Sequence, residues 1–417
     1  MFVSCSIAGT ASAQFTLSGE LRPRTEYRHG YQTLLDSAQG AGVFTSQRTR
    51  LNFGYAAENF RTSLVLQDVR VWGSQPQLNA ADGLSSLHEA WGEYTLCRSF
   101  SVKAGRQELN YNDERLLGAT AWVQQARSHD ALLVKYSDST LTAHAGAAYN
   151  QGGETSFTVP YAVGGSYKEM YFMWINKKVA GFNISLIGIG NGMQSKVSAF
   201  STWFSRTAGT YIEYKKDNLF VCGRYYNQGG VDADKKKIEA FMAGADVNYM
   251  LLSRISVGVG GEMMSGQSAT DTSKSYMATN RSFSALYGTG HKFNGYMDYY
   301  YAGNPHGGVG LQDIYFKTKF KADKWWAGLD AHIFNAAANV LDKKKLASDK
   351  VYSSMNPYLG AELDITAAYT FSPEFSLQCG YSQYLPTAST GSVKKGKYNQ
   401  TQNWAYLMLT FKPVFVK

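Results

Sequence analysis

From Gln14 the chain alternates. Phe15, Leu17, Gly19, Leu21, Pro23, Thr25 and Tyr27 take the odd positions, and Thr16, Ser18, Glu20, Arg22, Arg24, Glu26 and Arg28 the even ones. Side chains of a strand point to opposite faces in turn, so this stretch predicts a strand with one apolar face and one carrying five charges. The pattern returns at Gln47–Tyr55, where Arg48, Arg50 and Asn52 oppose Thr49, Leu51, Phe53 and Tyr55. Later rows are Phe182, Ile184 and Leu186, then Ile314, Phe316 and Phe320, then Trp325, Ala327, Leu329, Ala331 and Ile333. Asp313, Lys317, Lys319, Asp330 and His332 occupy the opposite faces of the last two. A soluble sheet and a membrane barrel both give such alternation, so the connections must decide.

Those connections sort into two kinds. Short turns are predicted at Ala56–Asn59, around Cys97, and at 137–139, 179–181, 216–218, 251–253, 322–324 and 371–373. Long loops, enriched in Gly, Asn, Ser, Asp and Lys, are predicted at 29–44, 73–86, 110–126, 150–168, 192–206, 228–237, 265–310, 336–356 and 385–400. Strict alternation of the two kinds is the signature of an outer-membrane barrel, with short periplasmic turns and long extracellular loops. Nine loops and eight turns make an all-β, antiparallel barrel of eighteen strands with both ends on the periplasmic side. The even count assigns Phe293–Tyr301 (FNGYMDYYY), aromatic enough to be a strand, to the long loop at 265–310. A loop of that length is usually functional, and in a barrel it is placed to fold inward and narrow the pore. Asn403–Phe411 is expected to close the sheet beside the opening strand. Trp72, Trp122, Tyr136, Trp174 and Trp404 are expected in interfacial girdles.

Composition agrees. The 417 residues are 44% hydrophobic without an apolar run long enough for a membrane helix, and Tyr, Phe and Gly far outnumber Pro and Cys. Cys5, Cys97, Cys222 and Cys379 are scattered, with neither metal-ligand spacing nor a disulfide framework. Ala11-Ser12-Ala13 precedes Gln14 as a small-x-small cleavage pattern, which predicts a leader at 1–13 and one barrel domain at 14–417. A leader argues against nucleic acid as the partner of the +9 net charge. Outer-membrane lipid and small hydrophilic solutes are the expected partners, and no cofactor is expected.

Arginine placement is the strongest chemical signal. Eleven of the arginines in view, from Arg22 to Arg127, precede residue 130. Arg22 and Arg24 share a face, as do Arg48 and Arg50 on the next strand, about 4.8 Å away. They predict a basic ladder in the lumen, whose guanidinium forks match carboxylate or sulfate oxygens. A denser charged cluster surrounds the 110–126 loop. The candidate pore-lining set is therefore Arg22, Arg24, Arg48, Arg50, Arg106, Glu108, Arg127 and Asp130. The competing reading pairs these arginines with Glu20, Glu26, Glu89, Glu93, Glu108 and Asp130 simply to brace a polar interior. Ser128, His129 and Asp130 are consecutive on a strand and cannot form a triad among themselves. No HExxH, P-loop or GxSxG occurs, and metal is not indicated.

Gly105–Gly118 (GRQELNYNDERLLG) and Trp122–Leu132 (WVQQARSHDAL), with SQRTRLNFG at 46–54, GTGHKFNGYMDYY at 288–300 and GLQD at 310–313, resemble the alginate-export family of outer-membrane barrels, in its Bacteroidetes form. The resemblance implies a monomeric eighteen-stranded barrel and an arginine-lined lumen admitting anionic saccharides. It also implies gating by an extended loop and an extended periplasmic turn, although every turn here is short. The expected function is passive diffusion of hydrophilic solutes. The alternatives are an outer-membrane hydrolase and a plugged structural or adhesion barrel.

Overall fold

The computed structural model describes residues 13–36, 39–79, 83–300, 306–394 and 396–417. The leader assigned to 1–13 thus lies, but for its last residue, outside the described residues. Barrel strands are numbered in chain order. β1 (Gln14–His29), β2 (Gly42–Ala56), β3 (Phe60–Val71), β4 (Ser85–Cys97), β5 (Phe100–Gln107) and β6 (His129–Ser137) come first. β7 (Leu141–Tyr149), β8 (Glu169–Val179), β9 (Phe182–Gln194), β10 (Thr202–Lys216), β11 (Leu219–Gly230) and β12 (Ala240–Leu252) follow. β13 (Ile255–Met264), β14 (Leu311–Lys321), β15 (Trp325–Asn335), β16 (Tyr358–Ser372), β17 (Phe375–Pro386) and β18 (Gln402–Phe411) complete the wall.

Each strand pairs antiparallel with its chain neighbours, and β18 returns to β1 with Arg28 opposite Trp404. The barrel is closed, with eighteen strands, and its turns and loops fall where the alternation predicts. Pro23 has no N–H to give, and the β1–β18 ladder skips from Leu21–Phe411 to Arg24–Met408 around it. Beyond it, the tail strand Val414–Val416 continues the seam, with Leu17 opposite Val416.

The outer face is apolar. Ile314, Phe316, Ile333, Leu363, Ile365 and Leu407 are exposed there. Beside the short turns it ends in aromatic contacts, Phe100 tilted against Tyr136, Phe182 tilted against Tyr214, and Phe375 stacked between Phe371 and Phe411. Trp72 and Tyr136 keep their expected outward positions. Trp122, Trp174 and Trp404 do not. Trp404 is wholly buried, Trp174 donates to Asn112 Oδ1 (2.8 Å), and Trp122 sits on a loop inside the barrel.

The reason is that the loop-side half of the barrel is filled. Wall residues Phe172, Ile187, Met242, Phe334, Tyr384 and Trp404 meet Leu116, Leu117, Met297, Tyr299 and Tyr300 from two loops in one buried cluster. Each large side chain so buried contributes roughly 1.5–3 kcal/mol. Where the wall meets this cluster it is apolar on both faces, as around Phe172, Ile187 and Trp404, so alternation there cannot say which face looks in.

Candidate functional site

Two loops enter the lumen from walls eight strands apart, residues 108–128 after β5 and the inner part of 265–310 after β13. They join along a short parallel ladder. Gly118 N donates to Tyr287 O (3.0 Å), Tyr287 N to Leu116 O (3.0 Å) and Thr289 N to Glu114 O (2.9 Å). Thr289 Oγ1 accepts from Thr120 N (3.0 Å), and Arg127 donates to Gly288 O (3.1 Å). The crossing is close. A Cβ on Gly288 would lie 2.2 Å from Arg115 O, and one on Gly118 2.3 Å from Thr289 Oγ1.

The wall holds the two loops by opposite chemistry. Arg22 donates to the carbonyls of Ala121 (2.9 Å) and Trp122 (3.2 Å) and to Gln124 Oε1 (2.9 Å). Arg24 donates to Trp122 O (2.7 Å) and lies 4.1 Å over its ring, while Glu26 receives both Arg24 and Arg28. Arg48 reaches Ala121 O (3.3 Å) and pairs with Glu20 (2.5 Å). Across the lumen the wall is acidic. Glu362 accepts from Met297 N (2.7 Å), Asp364 from Tyr296 N (3.3 Å), and Asp330 from Tyr296 Oη (3.1 Å). Glu262 and Asp313 both receive Asn294 Nδ2, at 2.6 and 3.1 Å. Glu262 also anchors Arg115 (2.5 Å) and Arg224 (3.0 Å). Carbonyls of one loop thus meet arginines, and N–H groups of the other meet carboxylates. Charge-assisted bonds of this kind are the strong ones, about 1.5–3 kcal/mol each.

The predicted ladder residues therefore have a different setting from the one expected. Arg22, Arg24 and Arg48 do face inward, but they are buried beneath the 108–128 loop, so the water path does not run along them. Arg50 also faces in, giving Nε to Gln67 Oε1 (2.8 Å) while its Nη2 is buried without a partner. Arg127 ties the loops together. Glu108 receives His88 Nε2 (2.8 Å); burial pushes its carboxyl up, but that bond and the neighbouring charge hold it below the usual carboxylate range. In the same loop burial pushes the Asp113 carboxyl up despite Arg115 and Arg224 beside it.

Arg106 and Asp130 are corrected outright. They pair with each other (3.1 Å) on the outer face, both exposed, because Arg106 shares its side with Val102 and Ala104, and Asp130 with Leu132 and Val134. That parity was readable in the sequence. What the candidate set left out are the lumen lysines, although alternation already put Lys317 and Lys319 on the inward face. Lys317 pairs with Asp330 (3.1 Å), Lys319 lies 3.9 Å over Trp326, and Lys292 approaches Glu114 at 3.7 Å.

Space remains beside the crossed loops. A cavity of about 440 Å³ is lined by Trp122, His291, Tyr296, Lys317, Lys319 and Trp326 among others. It shares Asn248, Lys292 and Lys317 with a second of about 340 Å³, lined also by Arg115, Arg224 and Asp246. The second shares Arg115, Phe293 and Asn294 with a third of about 350 Å³ beneath Phe283 and Tyr300.

A closed barrel of this architecture, apolar outside and constricted by inward loops, is an outer-membrane porin fold and belongs in a Gram-negative outer membrane. No family profile and no curated protein matches the chain. Solved outer-membrane porins do. Pseudomonas aeruginosa OccK5 (OpdH) superposes with a TM-score of 0.62 at 9% identity, covering 96% of this chain and 98% of that one. Pseudomonas aeruginosa OpdO (0.61, 11%) and Acinetobacter baumannii OccAB2 (0.61, 11%) cover the same shares of both chains. At such identities the likeness is one of fold.

Proposed function

We propose that the protein is a monomeric outer-membrane channel for passive diffusion of small hydrophilic solutes, with a preference for anionic ones, acidic saccharides among them. The observation that carries this reading is the run of three cavities sharing walls past the crossed loops. Lys292, Lys317 and Lys319 border it, so confined positive charge raises the local concentration of anions. Tyr296 and Trp326 give flat faces on which a sugar ring packs. The resemblance of 105–118 and 122–132 to the alginate-export family points the same way. The arginines of β1 and β2 act as the scaffold of the constriction, and selectivity rests on the lysines.

Conductance and reversal potential of the purified protein in planar bilayers test the proposal. Stable openings with anion selectivity support it. The zipped loops favour one other reading, a plugged barrel, and a protein that stays silent in bilayers and in liposome swelling would establish that instead.

A further inference from the structure

The acidic wall holds two carboxyl groups whose hydrogen bonding is half complete. Glu362 and Asp364 stand two residues apart on β16, so both face inward, and both are buried. Each gives one oxygen to the long loop. Glu362 Oε1 accepts from Met297 N (2.7 Å), and Asp364 Oδ2 from Tyr296 N (3.3 Å). The other oxygen of each, Glu362 Oε2 and Asp364 Oδ1, is buried without a donor. The two carboxyl groups are within hydrogen-bonding reach of one another.

No neighbour supplies the missing positive charge. Across the strands Glu362 lies opposite His332 and Tyr384, and Asp364 opposite Asp330 and Ser382. Ser382, bonded to Asp364, is neutral, as are the loop phenols Tyr296, Tyr299 and Tyr300. His332 Nδ1 is directed to Asp313 (2.9 Å), and Lys317 to Asp330 (3.1 Å). The loop adds one more acid, Asp298, which receives Tyr31 Oη and His291 Nδ1. Among the described residues no arginine or lysine pairs with Glu362 or Asp364. Buried carboxyl groups in contact cannot both ionise. A metal ion would relieve them too, but no group of three or more His, Cys, Asp or Glu side chains among the described residues is arranged to hold one. The loop backbone is also pressed close, since a Cβ on Gly295 would fall 2.6 Å from the Glu362 carboxyl.

We propose that Glu362 and Asp364 share a single proton, and that this proton latches the 293–300 segment to the wall. The bridging O–H joins the two bare oxygens and leaves the other two for the N–H groups of Tyr296 and Met297. When the segment lifts, water reaches the pair, both acids ionise as ordinary carboxylates do, and the proton passes to solvent. Closure of the segment therefore takes up one proton. The latch is complete at acid pH. Above the ordinary carboxylate range its closing equilibrium weakens by about ten-fold per pH unit, until the closed pair itself ionises. The inference concerns what holds the constriction in place, and it stands whether or not the barrel conducts.

The test uses the full chain in detergent, as wild type, Glu362→Gln and Asp364→Asn. Infrared spectra in heavy water at neutral pH report a protonated carboxyl group by its carbonyl stretch. The wild-type-minus-variant difference is expected to hold that band for either variant, because the remaining acid ionises beside an amide N–H. Protection factors of the Tyr296 and Met297 amides, taken relative to the intrinsic exchange rate at each pH, should fall by up to about ten-fold per pH unit between pH 6 and 9 in the wild type. They should stay level in Glu362→Gln, whose amide keeps both bonds without a proton to lose. Difference spectra without the band overturn the proposal, and so does wild-type protection that is independent of pH. Loss of protection on adding EDTA overturns it in favour of a metal ion between the acids. Should a variant lose the heat-modified gel mobility of the folded barrel, the wild-type pH series decides alone.

Discussion

Trp122 and His291 lie face to face, 4.2 Å between centroids and 11° from parallel, although their loops leave the wall eight strands apart. Trp404 and Tyr406 meet the edges of Trp122, so the stack is set against the wall near the closing seam. Such pairs contribute about 0.5–1.5 kcal/mol beyond their buried area. A cycle of Trp122→Ala, His291→Ala and the double variant is expected to return a coupling of about 1 kcal/mol in denaturant titrations. Each single variant should also raise single-channel conductance by widening the constriction.

Replacing Arg22 and Arg24 by alanine strands the Trp122 carbonyl, leaves Ala121 O with Arg48 alone, and loosens the 108–128 loop. A loss of about 3 kcal/mol or more is expected, with noisier and larger openings. The reversal potential in a salt gradient should move little. Lys317→Glu with Lys319→Glu should move it strongly toward cations. The opposite pattern would return selectivity to the arginines.

Gly288→Val places side-chain atoms where Arg115 O stands 2.2 Å from the would-be Cβ. The ladder between Gly118, Tyr287 and Thr289 cannot then close, while the barrel wall is untouched. Trypsin is expected to cut the variant within 108–128 or 279–300, with the heat-modified gel mobility of the folded barrel retained.

His306, in the long loop, is fully buried, and its Nδ1 accepts from Gly310 N (2.9 Å). Burial, with the Lys394 charge nearby, pushes its pKa down from 6.5 to about 4. The opened loop takes up a proton in that interval and the closed loop does not, so closure is fully stable above about pH 6.5 and weakens as pH falls toward 4. The protection factors of the amides around 306–310, taken relative to the intrinsic exchange rate at each pH, should fall between pH 7 and 4.5 in the wild type. His306→Gln should flatten that dependence.

Arg106→Ala is expected to change stability by less than about 0.5 kcal/mol and to leave selectivity alone, since its pair with Asp130 is exposed on the outer wall. A shift in reversal potential would put that pair back in the lumen.

The wall was legible because lipid and water impose a two-residue period, and because Asp138 and its counterparts mark the short turns. The inward course of 108–128 was not. Its hold on the wall comes from Arg22 and Arg24 nearly a hundred residues earlier, and nothing in the spacing of those arginines distinguishes a carbonyl of the same chain from a passing anion. The same fill hid Trp174 and Trp404, since a wall that faces lipid outside and packed loops inside has no polar side to give it away. Arg106 and Asp130 were legible, through their apolar neighbours, and charge density drew attention away from that parity.

Leu17 lies opposite Val416, so the two ends of the described wall are neighbours across the seam that Pro23 interrupts. A ring closed in this way has no privileged first strand. Linking the ends and cutting instead within 195–201 would give every strand the same two partners in a new order of synthesis. Position in the wall and position in the gene are then separable, and a circularly permuted chain that still inserts would demonstrate it.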